Sequence, residues 1–255
     1  ISGTQDRPNV LFVLDSSANW AASISGAANC YYNDNGVPTT SGPTADQGTK
    51  VAIEKCALYN LVDALPVAGT QVLVAHRPHP GPRALIYFGG NAEDVSRNLP
   101  EFAEAFPEYA VYLLNYRGFG GSGGSPSETA IAEDALALFD QVSASHPQIA
   151  VIGRSLGSGV AVRLASQRPV QQLILVTPYN SLEEIAARQY PWVPVKWLLK
   201  DRFESGKYAA HIRTPTLLLA ASDDEVIPRD STQRLLQSFP KGVATLRIVP
   251  DSAHN

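Results

Sequence analysis

Methionine is absent from the 255 residues, and cysteine occurs only twice. A chain that begins at Ile1 without methionine is expected to be a processed or trimmed product, in which a native signal peptide or anchor would not show. Two cysteines exclude a disulfide framework and a four-cysteine zinc site; Cys30 and Cys56 either pair, if the chain is exported, or stay as buried thiols. No apolar run reaches the roughly eighteen residues of a membrane span. Positive charge is scarce too: 20 Lys and Arg against 24 Asp and Glu leave a net charge of −4. That balance argues against nucleic acid or an anionic membrane as partner, because both call for clustered Lys and Arg. Internal repeats and low-complexity tracts are missing as well. What is present is apolar content of 44%, enough for a core and too much for disorder. The length suits one large α/β domain or two smaller ones.

Two textures divide the chain. In residues 1–67, Asn9–Leu14 reads as a buried strand, residues 29–48 as a long polar loop, and Thr49–Leu65 as a helix ended by Pro66. From residue 68 onward strands and helices alternate. The strand-like runs are Gln71–Ala75, Ala84–Phe88, Ala110–Asn115, Ile149–Ile152, Gln172–Val176, Thr216–Ala220 and Ala244–Val249. Helical spacing covers Asp94–Phe106, Glu128–Ser143, Leu156–Gln167 and Arg229–Phe239. Apolar runs without polar alternation suit a mostly parallel sheet covered by helices on both faces. Ligands of such sheets bind at the carboxyl ends of the strands. Residues 178–210, rich in Pro and aromatics, break the rhythm and suit a short cap over that edge.

The sharpest chemical signal is Gly153-Arg154-Ser155-Leu156-Gly157, a G-x-S-x-G between a strand and a helix. A sharp turn there displays the Ser155 hydroxyl above the sheet, and the Leu156 amide, at a helix N-terminus, can stabilise an oxyanion. The alternative is a tight turn with a capping Ser. A serine nucleophile needs a base. In this architecture the acid and then the His follow the Ser in chain order. Of five His, only His211 and His254 lie beyond Ser155; His211 precedes a strand and belongs at the amino edge, whereas His254 follows one at the carboxyl edge. His254 is therefore the candidate base. The acid belongs to the loop after the preceding strand, where Asp223 and Asp224 compete; Asp224 is preferred and Asp223 is the alternative. A second oxyanion donor is expected after the strand Ala84–Phe88, from the Asn91 amide next to paired Gly89 and Gly90.

The stretches Tyr87-Phe88-Gly89-Gly90-Asn91-Ala92-Glu93, Leu114–Ser127, Gly153–Gly159 and Asp224-Glu225-Val226-Ile227-Pro228 together resemble α/β-hydrolases of the Bem46 and ABHD13/ABHD17-like branch, over residues 68–255. The resemblance implies an α/β-hydrolase fold with a short helical cap at about 178–210. It also implies serine-dependent cleavage of acyl esters or thioesters, without a cofactor. Two departures stand out. That family has His where this chain has Gly89, which puts the rigidity of the loop in question. It also continues past the His with a closing helix, where this chain stops at Asn255, so the His254 loop is expected to be loosely anchored.

Residues 9–19 resemble instead the opening of a von Willebrand factor A domain, as in adhesins at type IV pilus tips. Asp15 and Ser17 match its D-x-S-x-S metal motif, and Asn19 stands at the last Ser. The later Thr and Asp ligands have no counterpart, so no metal site is assigned. Residues 1–67 are then a β-loop-α segment beside the hydrolase domain, or a join between unrelated pieces.

Other features admit two readings. Arg154 either binds an anionic group or is held in an ion pair. Trp192 and Trp197 either line an acyl pocket or pack the cap onto the body. The glycines at 118–124 do not form a nucleotide-phosphate motif and read as a flexible loop near the site. The expectation is a serine hydrolase using Ser155, Asp224 and His254 with the Asn91 and Leu156 amides. Its substrate would be a small-molecule or lipid-like acyl compound, in the cytoplasm or the cell envelope of a bacterium. The rival readings are a metal-dependent adhesion module and an inactive hydrolase.

Overall fold

Strand runs that are apolar on both faces need cover on both faces, and this is how the chain folds. The computed structural model describes residues 31–32, 38–39, 62–67, 69–91, 93–192 and 194–254. The chain divides into two compact units, Ile1–Ala57 with Asn255, and Leu58–His254. In the first, Tyr31–Tyr32 pairs antiparallel with Pro38–Thr39, within the stretch expected to be loop. The expected strand Asn9–Leu14, the motif residues Asp15, Ser17 and Asn19, and Cys30 and Cys56 lie outside the described residues.

The second unit is built on an eight-stranded sheet. Its strands are β1 (Val62–Val67), β2 (Thr70–Arg77), β3 (Arg83–Phe88), β4 (Ala110–Leu114), β5 (Gln148–Arg154), β6 (Gln172–Val176), β7 (Thr216–Ala221) and β8 (Ala244–Val249). Their order across the sheet is β8-β7-β6-β5-β3-β4-β2-β1. The pairings from β8 through β4 are all parallel, and β2 runs antiparallel to both β4 and β1.

One expectation fails here. The helix drawn through Leu65 does not reach its last turn, because Val62–Val67 is an edge strand with Leu65 opposite Val72 and Pro66 opposite Gln71. Val62 and Leu65 lie three apart, which fits a helical face as well as a short strand. Pro66, which lacks an N–H, is tolerated in an edge strand.

The helices are α1 (Leu99–Ala105), α2 (Glu128–Ser143), α3 (Leu156–Ala165), α4 (Leu182–Gln189), α5 (Val195–Leu198), α6 (Ser205–Ala209) and α7 (Arg229–Ser238). From β3 to β4 the chain steps toward the β1 edge; from β4 onward it steps toward the β8 edge. Right-handed crossovers then put α1 on one face and the later helices on the other. Helix starts follow side-chain capping. Ser127 accepts from the Ala130 amide, and Ser181 accepts from the Glu184 amide with Glu at the third helical position.

The reversal of direction opens a crevice between the carboxyl ends of β3 and β5, the place where such sheets bind ligands. The segment after β4 is not loose. Gly123 N donates to Gln71 O (2.9 Å), and the Ser122 hydroxyl bridges the Leu73 amide (2.8 Å) and Asn115 O (2.9 Å). Arg117 adds a two-pronged ion pair to the buried Asp134 on α2 (2.7 and 2.8 Å). The loop expected to be flexible is thereby laced to β2 and α2.

The core runs along both faces of β3, β5 and β6 through Ile86, Phe88, Val151, Ile152, Leu173 and Leu175, all buried. Truncating Leu175 removes packing on a strand bonded on both sides. Leu175→Ala is expected to lower unfolding stability by about 3 kcal/mol in urea titrations. A loss below about 1 kcal/mol would show that this strand is not part of the core.

Candidate active site

Five groups singled out in the sequence lie at the carboxyl ends of four strands. Ser155 follows β5, Asp224 follows β7, His254 follows β8, Asn91 follows β3, and Leu156 opens α3. Ser155 occupies the N-cap position of α3 with φ +50° and ψ −119°, and its side chain makes no capping bond. A non-glycine residue at positive φ costs of order 1 kcal/mol or more and needs its surroundings to hold it there. Two contacts supply that hold. The Ser155 amide donates to Val176 O (2.9 Å), and Ser155 O accepts from the Ser158 amide (2.9 Å). The flanking glycines permit the turn by close approach. A Cβ on Gly157 would strike the carbonyls of Phe88 and Gly89, and one on Gly153 would strike Gly157 O.

Freed from capping, the Ser155 hydroxyl lies 2.9 Å from His254 Nε2. His254 Nδ1 lies 2.9 and 3.0 Å from the two carboxylate oxygens of Asp224. The His254 and Asp224 side chains are only 10% and 4% exposed. Asp224 Oδ1 also accepts from the amides of Val226 (2.9 Å) and Ile227 (2.8 Å). Burial opposes ionisation of Asp224, but hydrogen bonds from His254, Ile227 and Val226 outweigh it and hold the carboxyl below its ordinary range. An ionised carboxylate can only accept, so Nδ1 carries the ring proton and Nε2 is left to accept from Ser155.

Asp223 is exposed, takes the Ser222 hydroxyl (2.6 Å), and is not joined to His254. His211 precedes β7 and is exposed. The His254 loop is tied down: the Asp223 amide donates to Ser252 O (2.8 Å) and the Ser222 amide to Val249 O (3.0 Å). The loose anchoring expected for it is not found, because backbone pairing across the β7 and β8 ends holds the loop.

Glu93 has a role the sequence reading did not give it. Its Oε2 accepts from the Gly90 amide (2.5 Å) and from Arg154 Nη1 (3.0 Å); its Oε1 accepts from the Tyr87 hydroxyl (2.9 Å) and Asn98 Nδ2 (2.6 Å). Burial first, then the Glu93 charge, pushes the Tyr87 hydroxyl well above its usual range, which keeps it a donor. Arg154 also reaches His254 O (3.4 Å). Of the two readings of Arg154, the ion pair is the one observed. The space a side chain at position 89 would take is filled by Val95 and Glu93. The loop whose stiffness was in question is therefore held by Glu93 and by Tyr116, whose hydroxyl donates to Gly89 O (2.9 Å). An acid two residues past a Gly-Gly-Asn turn, followed by Asp94, together with an Arg beside the candidate nucleophile, was the available signal.

Residues 84–205 match the family model for the alpha/beta hydrolase fold. This part of the chain has the α/β-hydrolase fold. An uncharacterised protein of Mycobacterium tuberculosis is 38% identical over 181 residues, which cover 69% of this chain and 63% of that protein. A lysophosphatidylserine lipase, ABHD12 of Danio rerio, is 34% identical over 141 residues, 47% of this chain and 37% of the lipase. The chain thus spans less than two thirds of these relatives. Among solved structures, the Pyrococcus furiosus esterase Pf2001 superposes with a TM-score of 0.60 at 22% identity, covering 76% of this chain and 83% of the esterase. A monoacylglycerol lipase of Paleococcus ferrophilus gives 0.56 at 20%, covering 72% of this chain and 90% of the lipase. At such identities the likeness to these two α/β-hydrolases is one of fold.

Two outcomes follow. Asp224 is held below its ordinary value of 3.8, so its contribution to stability is complete above that range and is lost as pH falls through the lowered value. Urea titrations between about pH 2 and 6 should show a smaller acid-side loss in Asp224→Asn than in the parent; an unchanged slope would refute the assignment. Glu93→Ala removes the acceptor shared by four donors and should cost about 3 kcal/mol of stability in the same assay. A cost near zero would mean the network carries nothing.

Proposed function

We propose that the Leu58–His254 unit is a serine hydrolase that cleaves acyl esters or thioesters through an acyl-serine intermediate. The observation that carries this reading is the chain of hydrogen bonds from Ser155 through His254 to Asp224, built on a serine held at positive φ. His254 Nε2 takes the hydroxyl proton as Ser155 Oγ attacks the carbonyl carbon. Asp224 holds the imidazole in the tautomer that can do this and stabilises the imidazolium that forms. The carbonyl oxygen becomes an oxyanion facing the amides of Leu156 and Asn91. Leu156 is the first helical residue, so its N–H has no partner within the helix. Each such donor contributes about 3 kcal/mol at the barrier. His254 then returns its proton to the leaving alcohol or thiol, leaving an ester on Ser155. Water, activated by the same imidazole, cleaves that ester and restores the hydroxyl.

Lipid-like acyl compounds are the substrate class this reading favours. The support is the 141-residue similarity to lysophosphatidylserine lipases, together with folds shared with an esterase and a monoacylglycerol lipase. The finer placement in the Bem46 and ABHD13/ABHD17-like branch rests on the motifs alone, as does a von Willebrand A-like character for residues 1–67, with its rival reading as an adhesion module.

The test is covalent labelling with a fluorophosphonate probe alongside hydrolysis of p-nitrophenyl butyrate. The parent chain is expected to be labelled and active. Ser155→Ala should lose labelling and at least about 10³-fold in kcat. Absence of labelling in a folded parent, or full activity in Ser155→Ala, would overturn the reading and favour an inactive hydrolase or a different nucleophile.

A further inference from the structure

The cap packs onto the body through Leu182, Ile185, Phe203 and Ala209, and leaves Trp192, Trp197 and Leu198 exposed. The chain leaves the carboxyl end of β6 next to Ser155, whose amide is bonded to Val176, and forms α4, α5 and α6 before entering β7 at the opposite edge. The excursion is fastened at its base. The Leu182 amide donates to Arg202 O (2.8 Å), and Glu128, at the start of α2, accepts from the Arg202 and Phe203 amides (both 2.9 Å). Beyond that base, several large apolar side chains stand exposed although Val195 is buried. Trp192 is 79% exposed and Trp197 is 88% exposed; Leu198 and Tyr190 are each more than half exposed. Among the described residues only two other large apolar side chains are exposed, Val226 and Ile248. Val226 sits two residues from Asp224, at the same rim. Both sequence-based readings of Trp192 and Trp197, pocket lining and packing onto the body, therefore fail.

The charge at this tip is of one sign. Residues 189–200 contain Lys196 and Lys200 and no Asp or Glu, in a chain of net charge −4. Both lysines are exposed, and neither is within ion-pair distance of a carboxylate among the described residues. The arginines that flank the tip are already committed, Arg188 to Asp230 and Arg202 to Glu183. Amphipathic rings beside lysines with long apolar stems suit the headgroup region of a bilayer, where ring and stem enter the apolar boundary and the ammonium meets lipid phosphate. Large apolar side chains exposed this close together in sequence suit an interaction site on a folded protein. Among the described residues no helix is long and apolar enough to cross a membrane.

We propose that the cap tip, residues 190–200, docks the protein on an anionic phospholipid surface through Trp192, Trp197 and Leu198, with Lys196 and Lys200 reading lipid charge. Docking would set the rim that carries Ser155 against the bilayer, so that a lipid acyl substrate arrives from the membrane. That last step rests on the function proposed above; the docking does not.

The two are separable in one set of measurements. Co-sedimentation is measured with vesicles of phosphatidylcholine alone and of phosphatidylcholine containing phosphatidylglycerol. The parent chain and Ser155→Ala are expected to partition equally, and more strongly onto the mixed vesicles. Trp192→Ser/Trp197→Ser should lower the partition coefficient at least about tenfold on both. Lys196→Glu/Lys200→Glu should abolish the preference for the anionic ones. Circular dichroism and probe labelling, expected unchanged, verify that both double variants are folded. The proposal is overturned if the parent partitions onto neither vesicle, or if the tryptophan variant partitions like the parent. It is equally overturned if sedimentation velocity without lipid shows a dimer that the tryptophan variant dissolves while vesicles go unbound, since the patch then belongs to a second copy. Partition without Ser155 labelling would refute the hydrolase reading and leave docking standing; labelling without partition would do the reverse.

Discussion

The rest of the site depends on steric crowding at one turn. Strand β5 ends at Arg154 and α3 begins at Leu156, so a single residue must reverse the chain. That reversal is possible because Gly157 brings α3 against the carbonyls of Phe88 and Gly89 at the end of β3. The parallel register reinforces it, with Gly153 opposite Phe88 and Arg154 opposite Val176. The strained turn and the loop after β3 are consequently one packed unit. A shift in either would move both the Ser155 hydroxyl and the backbone donors that face it. The cost of the positive φ is offset by strand pairing on both sides of β5, which holds the turn in place.

Two buried carboxylates flank this turn, and their partners give them different work. Asp224 accepts from the imidazole and two amides, and its charge fixes the ring tautomer. Glu93 accepts from an amide, a hydroxyl, a carboxamide and a guanidinium, and its charge organises backbone. Arg154 keeps the two from being independent, since it pairs with Glu93 and also reaches the carbonyl of His254. A buried carboxylate with every acceptor direction used is a rigid junction; with one donor missing it would be a liability.

Much of this was legible in the sequence because it depends on local pattern. The strands β3 to β8 are continuous apolar runs, and the positions of Ser155, Asp224 and His254 follow from chain order and from the rule that sites gather at carboxyl ends of strands. Asp224 and not Asp223 meets His254 for a reason the sequence carries only faintly: two amides downstream wrap Asp224 and turn it inward. What was hidden depended on distant contacts. Val62–Val67 reads as the end of a helix until Thr70–Arg77 is there to pair with it. Glu93 has no meaning until Arg154, 61 residues away, is folded beside it. The glycine-rich segment after β4 reads as loose until Gln71 and Leu73 on β2 take its hydrogen bonds.

Net charge is a sum over the chain, and it says little about any one patch of the surface. A sum over the chain treats every charge as though it acted at every point of the surface. At physiological ionic strength a charge is felt over about 8 Å, so an approaching surface senses only the patch it meets. The acids of this protein are largely occupied within the body: Asp134 with Arg117, Glu93 with Arg154, Glu128 with cap amides, Asp230 with Arg188 and Arg234. The lysines of the cap tip have no such partners among the described residues. A chain of net charge −4 can thus present a basic, aromatic tip, and on the docking proposed above the sign that matters there is local.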